Sequence, residues 1–324
     1  MNKKRPSEAV FLFFLNNRAL MLDIIFFLVL SFATPVFLTP RNLTNVAMQI
    51  STNAIVGIGY TFLLASASVD LSIGNMMCLI GIVAGLLSVA GLPFPAILVL
   101  CLLLGMGLGG LNSFVAVKFK LPPFLVTLAM QQIYKGLMLL LSNGSPIPNI
   151  NKGIVFMGQG YVGGIPMPVL FLFVLVFVGA VILSRTSFGR NVIAVGGNAE
   201  AAKVSGIDVS KTRIGVSVLL GAVTAITAFI SCGRVGSAQT TIGGDTVMDV
   251  IAAVVIGGTP MGGGSGTVIG TVFGCLTIGL ISNGLNLMKV DNYWQTVVKG
   301  IIILVAVVLD IYTEKLYDKM REKT

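Results

Sequence analysis

The feature that most constrains this chain is a succession of apolar runs, each about as long as a membrane is thick. A helix that crosses a bilayer needs roughly 20 mostly apolar residues. The predicted spans are 19–37, 46–65, 73–90, 95–117, 123–141, 168–183, 214–232, 246–258, 268–288 and 293–311. The pattern therefore predicts an all-α membrane protein of about ten transmembrane helices, some of them broken or short.

Composition supports a polytopic membrane protein and excludes several other classes. Only 10% of the 324 residues are charged, whereas a soluble domain carries roughly 25%. The net charge of +9 comes from basic residues in loops and at the chain ends, and no basic, aromatic-studded domain is present to bind nucleic acid. The chain is expected to bind membrane lipid and no nucleic acid.

The residue inventory offers no catalytic or metal site. The sequence has no His, and its four Cys lie in apolar runs without a CxxC spacing, so we expect no metal ligands. It contains neither a GxxxxGK[ST] phosphate loop nor a nucleophile paired with a base. We therefore expect that this chain is not an enzyme and binds no cofactor.

The longest polar segment of the second half, residues 185–213, predicts the orientation. It holds five basic residues and two acids, and basic loops stay on the cytoplasmic side. An even number of crossings on either side of it places both the N-terminus (1–18) and the charged tail (312–324) in the cytoplasm. This parity requires the weakly apolar run 246–258 to count as a crossing.

Several spans are interrupted by polar or glycine-rich residues at 66–74, 243–245 and 257–264. Broken helices in membrane proteins mark transport paths, because irregular backbone is tolerated only in a protein interior or beside a wet cavity. The candidate residues for the path or its gate are Asp70, Ser72, Asn112, Gln131, Asp249, Asn283 and Asn286.

The candidate residues do not all favour the same role. For Asp70 a fold or gate role is favoured over direct contact with a solute, because it lies near the cytoplasmic end of the second span. Asp249 could line the path or bond a neighbouring helix, and both stay open. The amides, among them Asn112 and Asn283, could equally bind a solute or form interhelical hydrogen bonds.

Glycines recur every four residues at two places in the spans. Gly105 and Gly109 form one such pair, and a run from Gly262 to Gly274 forms the other. This spacing predicts helices that pack closely. The surrounding sequences also echo each other weakly, which is one sign of an inverted repeat of five plus five spans.

Within segment 185–213, the residues after Gly197 predict a short helix. Asn198 is a typical N-cap, Glu200 lies in the first turn and Gly206 ends the helix. A solvated turn between two spans would have the same pattern. We favour a docking surface for a partner protein, because the small Ala201 and Ala202 allow close approach.

Several motifs of the chain resemble those of a known family. Residues 186–206 (TSFGRNVIAVGGNAEAAKVSG) are similar to the cytoplasmic loop of bacterial ABC-importer permeases for simple sugars such as ribose, xylose, arabinose and galactose, with Glu200, Ala201, Ala202 and Gly206 on the EAA-x3-G docking pattern. Further similar stretches are VDLSIG (69–74), AAVVIGGT (252–259) and NGLNL (283–287). The resemblance covers about 42–310. Ala67 and Ser68 stand where the family usually has two glycines.

The resemblance implies a subunit of an ATP-driven importer in the bacterial cytoplasmic membrane. Its partners would be a separate ATPase that holds ATP and Mg²⁺, an extracytoplasmic sugar-binding protein, and a second permease copy, identical or related. The residues implied in coupling to the ATPase are Arg190, Gly197, Asn198, Glu200, Ala201, Ala202 and Gly206.

Two alternatives stay open from the sequence. One is an ion-coupled secondary transporter, which would also use broken helices but needs titratable groups deep in the bundle. The other is the same type of permease carrying a nucleoside or another small polar solute.

Overall fold

The computed structural model describes residues 18–244, 246–291, 293–302, 304–305 and 308. The described chain is mainly helical, with a single two-stranded hairpin, β1 (Tyr161–Val162) with β2 (Ile165–Pro166). The helices are α1 (Arg18–Ala33), α2 (Pro40–Ala65), α3 (Ile73–Val89), α4 (Phe94–Lys118), α5 (Pro123–Ser142), α6 (Lys152–Gln159), α7 (Met167–Arg185), α8 (Ser187–Gly197), α9 (Ala199–Val204), α10 (Val209–Val235), α11 (Thr246–Ile256) and α12 (Val268–Leu287). Residues 293–302 are helical as well.

Nine of the predicted spans coincide with helices. Six of these, α2, α4, α5, α7, α10 and α12, are long and apolar enough to cross a membrane, and α1, α3 and α11 are shorter apolar helices. The chain is therefore a multi-pass membrane protein. The tenth predicted span is described only in part, and the predicted cytoplasmic ends, 1–18 and 312–324, lie outside the described residues apart from Arg18. The total of ten crossings and the inverted repeat stay predictions.

Burial identifies α2 as the central helix. In its most apolar stretch 78% of the residues are buried, compared with 22% in α4 and in α7. The side chains that α4, α5 and α7 leave exposed are large and apolar, Leu103, Leu140 and Phe177 among them. Such surfaces suit lipid, so these three helices form much of the outer face of the bundle, with α2 inside.

The weak crossing predicted at 246–258 is helical over Thr246–Ile256, and the connection before it is not helical. Helix α10 ends at Val235, is capped by Gly236 with a φ of +77°, and is followed by a connection made mainly of turns that lies alongside α3. The backbone polar groups of this connection find partners in neighbouring segments: Ala238 exchanges two hydrogen bonds with Ile147, between α5 and α6, and the Gly243 N–H donates to Cys78 Sγ of α3 at 3.2 Å. Helix α11 completes the passage with 11 residues. Non-helical backbone is tolerated within the membrane here because it is buried in protein.

The polar connections meet at one end of the bundle, which we call the α8–α9 end. The Gly264 N–H, in the connection between α11 and α12, donates to the carbonyl oxygen of Ala65 at the end of α2. A Cβ placed on Gly196 of α8 would overlap the same oxygen. Connections 66–72, 119–122 and 205–208 lie at this end too, which agrees with the parity expected from the sequence.

Helices α4 and α10 touch through their backbones. A Cβ on Gly105 would overlap the carbonyl oxygen of Gly221, and a Cβ on Gly109 would overlap that of Ser217. The four-residue spacing of Gly105 and Gly109 thus packs helices closely, as predicted. Gly262 of the second series has open space around it and precedes α12, so for that residue the predicted helix packing is wrong.

We expect Gly109→Ala to destabilise the protein and Gly107→Ala to leave it unchanged or slightly more stable. The added methyl at 109 meets backbone of α10, which must shift, and overpacking of this kind costs about 1–3 kcal/mol. The methyl at 107 meets nothing within 4 Å, and Ala is favoured over Gly in a helix by about 1 kcal/mol. The apparent unfolding temperature in detergent is the measurement. Equal temperatures for the two variants would contradict this packing.

Candidate functional site

The first candidate cluster lies where the chain leaves α2 and turns into α3. Ala67 adopts a φ of +55°, and the connection then returns into the protein interior, where Asp70 is 2% exposed. One carboxylate oxygen of Asp70 accepts hydrogen bonds from the backbone N–H of Ser72 at 2.7 Å and from its hydroxyl at 2.6 Å. The acid thus holds the start of α3 in place.

Two further helices join this cluster. The Asn112 amide of α4 donates to the other oxygen of Asp70 at 2.9 Å and to the Ser72 hydroxyl at 2.8 Å, and the Tyr134 hydroxyl of α5 donates to the Asn112 Oδ1 at 2.6 Å. Three of the predicted path or gate residues, Asp70, Ser72 and Asn112, are therefore in direct contact. Their mutual hydrogen bonds support a role in fold or gate; contact with a solute stays untested.

The predicted Gln131 lies apart from these four side chains. Its carbonyl oxygen accepts from the Asn75 amide at 3.0 Å, which ties α5 to α3. The structure gives its half-buried side chain no place in the Asp70 cluster.

A cavity of about 550 Å³ opens beside the cluster at the α8–α9 end. Asp70 and Asn112 lie at its inner end. Lys120, in the turn between α4 and α5, and Arg213, in α10, line its outer part. The sequence showed Arg213 only as one of several loop cations, because nothing in a single helix reveals that α10 starts against α4.

A second cavity, of about 460 Å³, lies toward the other end of the bundle. Asp249 of α11 lines it and forms an ion pair with Lys299 at 3.0 Å. Arg234 of α10 also lines it and donates to the Thr52 hydroxyl at 3.3 Å. Asp249 thus lines a cavity and bonds a neighbouring segment; a place in the transport path stays a prediction.

The sequence analysis missed the α2 wall of this second cavity. Gln49, Thr52 and Asn53 line it, and all three come from the most buried long helix. Residues separated by three and four positions share one helix face. A polar stripe at that spacing in an otherwise apolar span is the signal that could have found them.

The last two candidates, Asn283 and Asn286, form hydrogen bonds with other segments and line neither described cavity. Asn283 of α12 and Asn42 of α2 exchange amide hydrogen bonds of 2.8 and 3.2 Å. The Oδ1 of Asn286 accepts from Gln295 at 3.0 Å. These contacts favour interhelical bonding for both, and a place in the path stays a prediction.

Segment 185–213 contains more helix than expected. We predicted one short helix; the structure has α8 and α9 in succession and α10 already begins at Val209. The local reason is capping: the Thr186 hydroxyl accepts from the Gly189 N–H at 3.1 Å, and an amphipathic helix follows before the predicted one.

The predicted short helix, α9, is present with its predicted caps. Asn198 Oδ1 accepts from the Ala201 N–H at 2.9 Å, and Gly206 follows the helix with a φ of +85°. Ala202 is buried against the protein, whereas Glu200 and Ala201 are exposed. Val204 is 88% exposed, which is unusual for an apolar side chain in a polar loop.

The other predicted coupling residues lie around α9. Arg190 is exposed on α8 and donates to the Ser187 hydroxyl at 2.8 Å. Gly197 lies at the end of α8 next to Gly264, which a Cβ at 197 would approach to 3.7 Å. The Phe188 ring stacks on Phe62 of α2 at 6.3 Å between centroids. Helix α8 is therefore fixed to the end of α2, and α9 follows α8 directly in the chain.

Comparisons with known proteins identify the family. The profile described as branched-chain amino acid transport system / permease component matches residues 42–307. The chain is 39% identical to the ribose import permease protein RbsC of Bacillus subtilis over 87% of this chain and 88% of that protein. It is 36% identical to RbsC of Haemophilus influenzae over 94% and 96%. It is 32% identical to the xylose transport system permease protein XylH of Escherichia coli over 86% and 87%.

No solved structure matches the chain. The family match covers most of the described residues, including both cavities and helices α8 and α9. The resemblance drawn from the sequence motifs is therefore confirmed: the chain belongs to this family of transport-system permeases, alongside the permeases of ribose and xylose.

Proposed function

We propose that this chain is the membrane-spanning subunit of an ATP-driven ABC importer for a monosaccharide, ribose or a similar sugar. The relatives named for ribose and xylose support the substrate class. The chain itself would carry out no chemistry. ATP and Mg²⁺ would be held by a separate ATPase.

The observation that carries this proposal is the way α9 is mounted. Helix α9 leaves Glu200, Ala201 and Val204 exposed for contact with a partner, while the buried Ala202 packs against the rest of the protein. Through α8 it is joined, backbone against backbone, to Ala65 at the end of α2 and to Gly264. A displacement of α9 by an ATPase would therefore reach the central helix directly, as alternating access requires.

Orientation and remaining partners follow from the same proposal. The basic segment 185–213 would lie in the cytoplasm of a bacterium, with residues 1–18 and 312–324 on the same side. A second permease copy would pair with this one, and an extracytoplasmic sugar-binding protein would deliver the sugar at the opposite end.

The second cavity is the proposed sugar-binding part of the path. Helix α11 is about 16 Å long at 1.5 Å per residue, so it covers only part of a bilayer about 30 Å thick, and its first turn lines this cavity with Thr246 and Asp249. Transporters place substrate at the ends of such half-helices. Gln49 and Asn53 add amides that can both donate to and accept from sugar hydroxyls.

The docking claim predicts that Glu200→Arg abolishes ATP-driven sugar uptake while the protein still inserts in the membrane. Reversing the charge in the centre of the exposed surface would repel the partner's complementary residue. Uptake is measured in proteoliposomes with the ATPase and the binding protein present. Lys211→Glu is the control, because Lys211 is exposed on α10 and lies outside α9. Normal uptake by Glu200→Arg would contradict docking of the ATPase on α9.

Co-purification separates this importer from its main alternative. With residues 197–206 intact an ATPase subunit should co-elute in detergent, and with a Gly/Ser stretch of equal length it should not. If no ATPase binds and the chain alone moves sugar along an ion gradient, it is a secondary transporter. If the ATPase binds but nucleosides compete better than ribose, the solute class is wrong and the mechanism holds.

Transmission through α8 predicts that Gly196→Ala uncouples the importer. The new methyl would overlap the Ala65 carbonyl oxygen, whereas the methyl of Gly262→Ala would meet nothing within 4 Å. We expect Gly196→Ala to retain the ATPase but to lose at least tenfold in uptake per ATP hydrolysed. Gly262→Ala, in the connection between α11 and α12, should behave like the wild type. Equal coupling in both variants would contradict transmission through this contact.

The proposed sugar site predicts a rise in KM for uptake when Gln49 becomes Leu. The change keeps the size of the side chain and removes an amide, and one lost hydrogen bond of about 1 kcal/mol corresponds to roughly a fivefold effect. Gln132→Leu is the control, since Gln132 is exposed on α5 and lines neither described cavity. ATPase binding should be unchanged in both. An unaltered KM for Gln49→Leu would remove this residue from the path.

A further inference from the structure

The cavity at the α8–α9 end has a feature that neither the proposed sugar site nor the proposed docking surface on α9 uses. It is a recess between the end of α4, the beginning of α10 and the connection from α2 to α3. Asn112 at its inner end lies six residues before Lys118, the last residue of α4, which makes the recess about 9 Å deep at 1.5 Å per helical residue. Its volume, about 550 Å³, falls in the range of small-molecule sites, roughly 300–1,000 Å³.

The recess is lined by two cations that are not neutralised within the described chain. Arg213, one turn into α10, has a buried Nε with no hydrogen-bond partner among the described residues. Lys120 stands exposed at the mouth, in the turn after α4. Arg213 is half-buried, and its Nε is the nitrogen shielded from solvent. Leaving that donor unpaired is costly, so the arrangement calls for an acceptor from outside.

The acids near the recess are already engaged. Asp70 accepts three hydrogen bonds from Ser72 and Asn112. Asp208 caps α10 by accepting from the Lys211 N–H at 2.9 Å, and it also pairs with the Lys211 ammonium at 3.4 Å. Besides these, the recess offers the hydroxyl side chains of Ser113 and Ser217.

We propose that this recess binds a phosphate group, with Arg213 as its principal ligand and Lys120 at the entrance. The guanidinium fork matches two phosphate oxygens, and an ammonium at the mouth adds attraction without a fixed geometry. Serine hydroxyls deeper in the recess suit a polyol attached to the phosphate. The phosphate belongs either to the headgroup of a membrane phospholipid or to a free phosphate ester in solution.

A bound phosphate would add a link between α10 and the α4–α5 turn, beyond the backbone packing of α4 on α10 at Gly105 and Gly109. It would bridge Arg213 of α10 to Lys120 in the α4–α5 turn, close to the chain that leaves α9. The site would thereby stabilise the position of the α10 start relative to α4. This proposal goes beyond sugar import and does not depend on it, because binding can be measured without sugar, ATP or an ATPase.

The test uses the purified full-length chain, stripped of lipid in detergent, and follows its unfolding temperature. The soluble probe is glycerol 3-phosphate, with glycerol as its control. The lipid probe is phosphatidylglycerol, with diacylglycerol as its control. We expect one phosphate probe to raise the unfolding temperature in a saturable way, and which probe does so identifies the source of the phosphate.

Variants then assign the effect to the recess. Arg213→Gln should raise the half-saturating concentration at least tenfold, and Lys120→Gln at least threefold. Lys118→Gln is the matched control: it removes a cation from the same helix end, but Lys118 lies over the Phe114 ring, 5.3 Å from its centroid, and does not line the recess. If Arg213→Gln does not fold, Arg213→Lys, which retains the charge but not the fork, takes its place with the same expected direction.

Three outcomes would overturn the proposal. In the first, neither phosphate probe stabilises the wild type more than its control. In the second, Lys118→Gln weakens binding as much as Arg213→Gln. In the third, Arg213→Gln releases a co-purifying ATPase while phosphate binding is absent, which would assign the recess to an acidic side chain of that partner.

Discussion

Direct contact between backbones at glycine is the interaction on which this bundle depends. Lipid offers apolar side chains as good an environment as another helix does, so helices in a membrane associate through close packing. Here α4 meets α10 at Gly105 and Gly109, and α12 meets α11 where Gly270 approaches Gly257. A Cβ at any of these four positions would overlap a backbone atom of the partner. Large apolar side chains are left to face outward.

The same close contacts allow irregular backbone to be tolerated inside the bundle. The non-helical chain between α10 and α11 lies against α3 because Gly243 approaches Gly74 without side chains between them. The buried Asp70 is tolerated for a related reason, since Ser72 and Asn112 supply three donors to its carboxylate. Both interruptions of helix are therefore stabilised locally, and both lie beside a cavity.

Helix positions were predictable from the sequence because hydropathy over 20 residues reports burial in lipid directly. The caps of α9 were predictable as well, since Asn198 and Gly206 act on neighbouring backbone. Pairings between distant segments were not: whether Asn283 bonds Asn42 or faces a path depends on how α12 lies against α2, which no local pattern encodes. Helix α8 was missed because its apolar face is short and follows a membrane span without a break.

Helix α2 connects the two cavities with the proposed docking surface. Its Leu63 lines the recess at the α8–α9 end, and its Asn53 lines the second cavity, about 15 Å away along the helix axis. Its last residue, Ala65, is held by Gly264 and touches α8. A rigid helix fixed in this way cannot shift at one end without altering both cavities. In the proposed importer, α2 is therefore the element through which events at α9 and sugar access at the other end are linked.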